Sequence, residues 1–101
     1  MSGFVIAADH PALPGHFPGR PIVPGVVVLD RVLAAIEAAH GPLGALRLPQ
    51  VKFLRPLLPG EPVQVAIEPM PPAQPGAPAT RWRFRVERAG DLVASGEVAA
   101  A

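Results

Sequence analysis

Residues 80–88, TRWRFRVER, alternate apolar and charged positions without a break: Trp82, Phe84 and Val86 fall on one face and Arg81, Arg83, Arg85 and Glu87 on the other. Period two marks a strand with one buried and one solvated face. AGD, 89–91, reads as a tight turn, and LVASGEV, 92–98, as the returning strand. Upstream, VQVAIE (63–68) and LRLPQVKFLR (46–55) read as two more strands, the latter irregular at Pro49. Because PLLPGEP (56–62) lies between them as a turn, these two are expected to form a hairpin. FVIAA, 4–8, reads as a short first strand. PMPPAQPGAPA, 69–79, is a loop at a sheet end.

The pattern changes over residues 26–40, VVVLDRVLAAIEAAH, where apolar residues run almost all round a helical projection. Pro24-Gly25 precedes this segment and Gly41-Pro42 ends it, so it is expected to be the one helix, buried on most sides. Three successive valines weaken its intrinsic propensity, so tertiary burial has to hold it. Residues 9–25 carry five prolines and three glycines and cannot be helical. A loop of that length in a small domain is more often functional than idle. A single helix followed by consecutive strands indicates an α+β domain, the helix packed on an antiparallel sheet. With 101 residues, the expected organisation is one domain, 1–101.

Composition narrows the function. Half the residues are apolar, enough for a core, and so small a domain gains further burial by pairing with a second subunit. The net charge of +1 gives no footprint for nucleic acid or an anionic membrane. The chain has no cysteine, which excludes disulfides, thiolate metal sites and a cysteine nucleophile. No signal-like segment and no apolar run of transmembrane length is visible, so a soluble cytoplasmic protein is expected. Proline and glycine are abundant (15 and 10), but they fall between well-patterned segments and act as punctuation. Three histidines without partners at ligand spacing point to no metal site. His40 lies at the helix end, where a cation suits the dipole, and His10 in ADHP reads as a turn residue.

The chemistry gathers in GHFPGRPIVPGVVVLD, 15–30. His16 is held between glycines and prolines, so little entropy is lost in positioning it, and an imidazole can act as a base near neutral pH. Gly25 lies where the helix begins, and the first N–H groups of a helix lack partners and carry partial positive charge. A glycine there lets a carbonyl oxygen approach, as an oxyanion site requires. Asp30 follows in the apolar helix, where burial would favour its protonated, proton-donating form. A base, an electrophilic donor and an acid together suit proton abstraction beside a carbonyl with loss of a β-hydroxyl.

The segment HFPGRPIVPGVVVLD resembles the signature of the β-hydroxyacyl-acyl-carrier-protein dehydratases, and VKFLRPLLPGEPV, 51–63, is similar to a second motif of that family. The rest of the chain looks closer to the small dehydratases of secondary pathways, such as those of aryl-polyene synthesis. The resemblance implies the hot-dog fold, one central helix wrapped by an antiparallel sheet. It implies His16 as the base on C2 of a 3-hydroxyacyl thioester, Gly25 as the oxyanion donor, and Asp30, fourteen residues after the histidine, as the acid. The product would be a trans-2-enoyl thioester. Phe17, Pro24 and Val26 are the expected substrate contacts, and Arg20, Lys52 and Arg55 the expected contacts to an acidic acyl carrier protein. No cofactor is expected beyond the carrier's phosphopantetheine arm. The family shares each site between two subunits, so a homodimer, or a heterodimer with another hot-dog subunit, is expected. The competing readings are a hot-dog thioesterase and a non-catalytic partner subunit.

Overall fold

The computed structural model describes residues 2–7, 9, 10 and 22–100. Its elements run β1 (Ser2–Phe4), α1 (Gly25–His40), β2 (Leu46–Phe53), β3 (Val63–Pro69), β4 (Arg81–Arg88) and β5 (Asp91–Ala100). The five strands form one antiparallel sheet in the order β1-β3-β4-β5-β2, with α1 packed against one face. This is the expected α+β architecture.

The alternation of residues 80–88 sets the register. Trp82, Phe84 and Val86 are buried under the helix, while Arg81, Arg83 and Arg85 are exposed on the outer face. There Glu97 of β5 meets Arg81 at 3.4 Å and Arg83 at 3.9 Å. The β4–β5 turn has Ala89 at φ 48° and Gly90 at φ 88°. Two consecutive positive φ values are what a two-residue hairpin needs to follow the right-handed twist of its strands.

Helix α1 begins after Pro24, whose carbonyl accepts from the N–H groups of Val27 and Val28. It ends at Gly41, φ 89°, whose N–H donates to the carbonyl of Glu37. Val27, Val28, Val32 and Ile36 are buried against the sheet. Burying each such side chain is worth about 1.5–3 kcal/mol. That exceeds the tenths of a kcal/mol that β-branching costs a helix. Burial is one-sided, however. Val26, Asp30, Arg31, Ala34 and Glu37 are exposed, so the expectation of a helix buried nearly all round is corrected. Much of its apolar character is alanine, which burial selects weakly.

Two strand expectations are also corrected. β1 ends at Phe4, not at residue 8, because Phe4 pairs with Val63 and the next position opposite it is Pro62, which has no N–H to extend the ladder. Ile6 leaves the sheet but stays buried, and its carbonyl accepts from Gly60. The expected hairpin of β2 and β3 does not exist. β2 pairs with β5 at one edge, and β3 pairs with β1 and β4. The linker between them crosses the sheet because its backbone is held on the way: Leu54 and Arg55 both donate to the carbonyl of Val93, and Leu57 accepts from Val23. Prolines 56, 59 and 62 suit such an extended crossing. The irregularity expected at Pro49 is present as a register shift between Arg47 and Gln50 on the edge strand, where a missing N–H costs little.

Candidate active site

Three backbone segments meet where the helix starts. The approach to α1 (Ile22–Pro24), the end of β2 with the crossing segment after it, and Val93 of β5 enclose an open cavity of about 480 Å³. The hydrogen bonds of Val93 to Leu54 and Arg55, and of Leu57 to Val23, fix these segments to one another. Val23, Val28, Leu57 and Val93 are buried and give the cavity an apolar floor. Its rim is Phe53, Leu54 and Arg55, all exposed. The volume lies within the range of small-molecule sites, and the mixture of apolar wall and few polar groups is typical of them.

Gly25 is the first helical residue and lines this cavity. Its N–H meets no acceptor among the described residues, and the first turn carries no acidic side chain to neutralise the positive end of the helix. An oxygen carrying developing negative charge would find there a donor and a favourable dipole. Pro24, extended at φ −60° and ψ 144°, turns the chain into the helix and contributes a wall.

The other expected residues are distributed as follows. His16, Phe17 and Arg20 lie outside the described residues. Asp30 lies on the exposed face of α1 with no hydrogen-bond or ion-pair partner among the described residues, and it does not line the cavity. The expected burial of this carboxylate is therefore corrected: within the single chain it faces solvent, on the same helical face as Val26, which is 64% exposed. Val26 does not line the cavity either. Arg55 is at the rim, whereas Lys52 pairs with Ser95 and points to the outer side of the sheet. The structure thus brings Pro24, Gly25 and Arg55 together and leaves Lys52 apart.

Phe53, Leu54 and the buried floor were not singled out from the sequence. Phe53 was accessible to that reading, since it belongs to the VKF motif and shares a strand face with Val51. Only its position at the helix start, set by tertiary structure, reveals what it touches.

Comparison with known proteins completes the picture. Residues 2–97 match the model of the ApeI-like dehydratases, described as ApeI dehydratase. The chain is 28% identical over 105 residues to the 3-hydroxyacyl-[acyl-carrier-protein] dehydratase FabZ of Bradyrhizobium diazoefficiens, across 94% of this chain and 63% of that protein. It is 32% identical over 72 residues to FabZ of Haemophilus influenzae, across 62% of this chain and 49% of that protein. The chain therefore spans about half to two thirds of the length of these relatives. Among solved structures, the dehydratase heterocomplex ApeI:P from Xenorhabdus doucetiae superposes with a TM-score of 0.73 at 21% identity, over 96% of this chain and 81% of that one. That likeness establishes the hot-dog fold. No helix among the described residues is long and apolar enough to cross a membrane.

Proposed function

The chain belongs to the ApeI-like dehydratase family, and from that premise we propose that it dehydrates a 3-hydroxyacyl thioester, carried on the phosphopantetheine arm of an acyl carrier protein, to the trans-2-enoyl thioester. The observation that carries this reading is the position of Gly25, at the positive end of α1 and in the wall of an apolar cavity. The thioester carbonyl would accept the Gly25 N–H while the acyl chain lies along Val23, Val28, Leu57 and Val93. Neutral His16 takes the C2 proton, and the negative charge that develops on the thioester oxygen is met by Gly25. The C2–C3 double bond then forms as the C3–O bond breaks. Asp30 gives a proton to the departing hydroxyl, which leaves as water. Arg55, at the rim, would meet the phosphate of the carrier arm or an acidic carrier surface.

Asp30 faces away from the chain that holds it, together with Val26 and Ala34. A second subunit laid on this helix face would complete the site from both chains. A homodimer would do so with two copies of His16. The similarity to a dehydratase heterocomplex favours a second reading, in which this chain is one half of a pair of unlike hot-dog subunits.

The test is a dehydration assay on 3-hydroxyacyl-carrier-protein with loss of water followed by mass, comparing wild type with His16→Ala and Asp30→Asn. Water loss by wild type alone, abolished in both variants, is the expected result. Activity appearing only after a second hot-dog subunit is added would transfer the reading to the unlike pair. Release of free thiol without loss of water would replace dehydration by thioester hydrolysis.

A further inference from the structure

The ring of Phe53 occupies the space where a Cβ on residue 25 would stand, with Cζ, Cε2 and Cε1 at 2.6, 2.9 and 3.0 Å from that point. Those distances are too short for a real Cβ, so this ring position requires glycine at 25. The glycine that leaves an N–H accessible at the helix start is therefore also the one that admits an aromatic side chain beside it. Phe53 is 52% exposed although it sits on the inward side of β2, opposite Ala94. It is one of the residues that line the cavity. The backbone just after it is anchored, since Leu54 and Arg55 both donate to the carbonyl of Val93. The ring thus stands on a fixed support at the mouth of the cavity, next to the proposed oxyanion donor.

We propose that Phe53 is the specificity-determining residue of this cavity, its ring limiting the cross-section left for the part of the acyl chain nearest the thioester carbonyl. The inference rests on the acyl-thioester reading of the site. A linear chain passes along the ring face. A chain branched at C2 meets the ring edge and is rejected. Loss of the ring opens that space without removing the Gly25 N–H.

Binding of non-reacting saturated thioesters tests this independently of turnover. Butyryl-pantetheine (linear) and 2-methylbutyryl-pantetheine (bulky, branched at C2) are titrated into wild type, Phe53→Ala and Phe53→Leu by calorimetry, with the Gly25 amide resonance followed in parallel. Both thioesters are expected to shift the Gly25 amide. The preference for linear over bulky is expected to fall by about tenfold in Phe53→Ala, the scale at which pocket shape discriminates apolar groups, and by less in Phe53→Leu. Preferences within about twofold of wild type in both variants would overturn the proposal, as would a Gly25 amide that neither thioester moves in wild type. The dehydration assay on the same proteins separates the two claims. Binding with the expected change of preference but no water loss removes the reaction and keeps the role of Phe53. Water loss with an unchanged preference does the reverse.

Discussion

Arg88 Nη1 lies 2.9 Å from Glu61 Oε1, and the same guanidinium nitrogen donates at 2.9 Å to the carbonyl of Pro56. One side chain from β4 thereby pins both ends of the segment that crosses the sheet between β2 and β3. Glu61 is held a second time, its Oε1 accepting the N–H of Leu58 at 2.8 Å.

That arrangement carries a pH dependence. The Leu58 N–H, and after it Arg88, hold the Glu61 carboxyl below the usual carboxylate range, outweighing an opposite push from partial burial. A depressed folded-state pKa stabilises the fold above the ordinary range, and this contribution is lost as pH falls through the depressed value. Urea midpoints measured down a pH series should therefore drop on acidification. Glu61→Gln should show a lower midpoint near neutrality and a shallower drop. Parallel curves for the two proteins would show that the carboxylate does not hold the crossing.

Gly96 lies in the middle of β5, where an added Cβ would run into the carbonyl oxygen of Gln50 and come within 2.9 Å of the Phe84 ring. Gly96→Ala is expected to destabilise by about 1–3 kcal/mol, the usual cost of overpacking. Gly3→Ala provides the contrast, since its nearest neighbour is the Val63 carbonyl oxygen at an ordinary 3.5 Å. Thermal unfolding of both should separate them clearly.

Ala89 is the only described non-glycine residue with positive φ. The left-handed region costs an alanine roughly 1–2 kcal/mol, and glycine or asparagine less. Ala89→Gly and Ala89→Asn are each expected to raise the denaturation midpoint, by up to about 1 kcal/mol of stability. Neither touches the cavity, so activity should be unchanged.

Asp30 is exposed within the chain, so Asp30→Asn should alter the stability of the single chain by no more than about 0.5 kcal/mol. If it is the proton donor, dehydration should fall by about 10²–10⁴-fold. A variant that loses stability and activity together would point to a structural acid.

Gly25→Ala and Phe53→Ala form a thermodynamic cycle. The first alone should destabilise by forcing the ring aside, and the second should recover part of that loss, because the two residues compete for one space. Strictly additive losses in urea unfolding would show that the ring moves away freely.

What could be read from the chain alone was what depends on neighbours in sequence. The alternation of Trp82, Phe84 and Val86, the boundaries of the helix at Pro24 and Gly41, and the break at Pro49 all follow from local rules, and all are present. The partner of β2 was not legible, because the proline-rich linker is equally compatible with a turn and with a crossing, and only the hold of Val93 on Leu54 and Arg55 decides between them. The exposure of Asp30 was hidden by alanines, which fit either side of a helix. Gly25 was found for its N–H, but its second duty as the place where Phe53 rests needed the sheet end and the helix start brought together. His16 lies outside the described residues, so its role is carried by the family motif and by the proposed assay.

The order in which the strands join has a kinetic consequence. β3, β4 and β5 follow one another along the chain and pair as neighbours, whereas β2 reaches β5 only by closing a long loop, with Leu46 opposite Ala100 across more than half the chain. Distant pairings form late and slow the whole process. β1 reaches β3 across a still longer stretch, with Ser2 opposite Val65, so both edge strands join β3, β4 and β5 late, and the cavity, walled by the end of β2 and the segment after it, is completed at that stage. In the folded protein β2, an edge strand paired on one side only, is expected to open early in amide exchange. The part of the molecule proposed to meet an acyl chain is thus built on a late-closing seam, and an occupant that bridges helix start and strand end would act as a clasp on it.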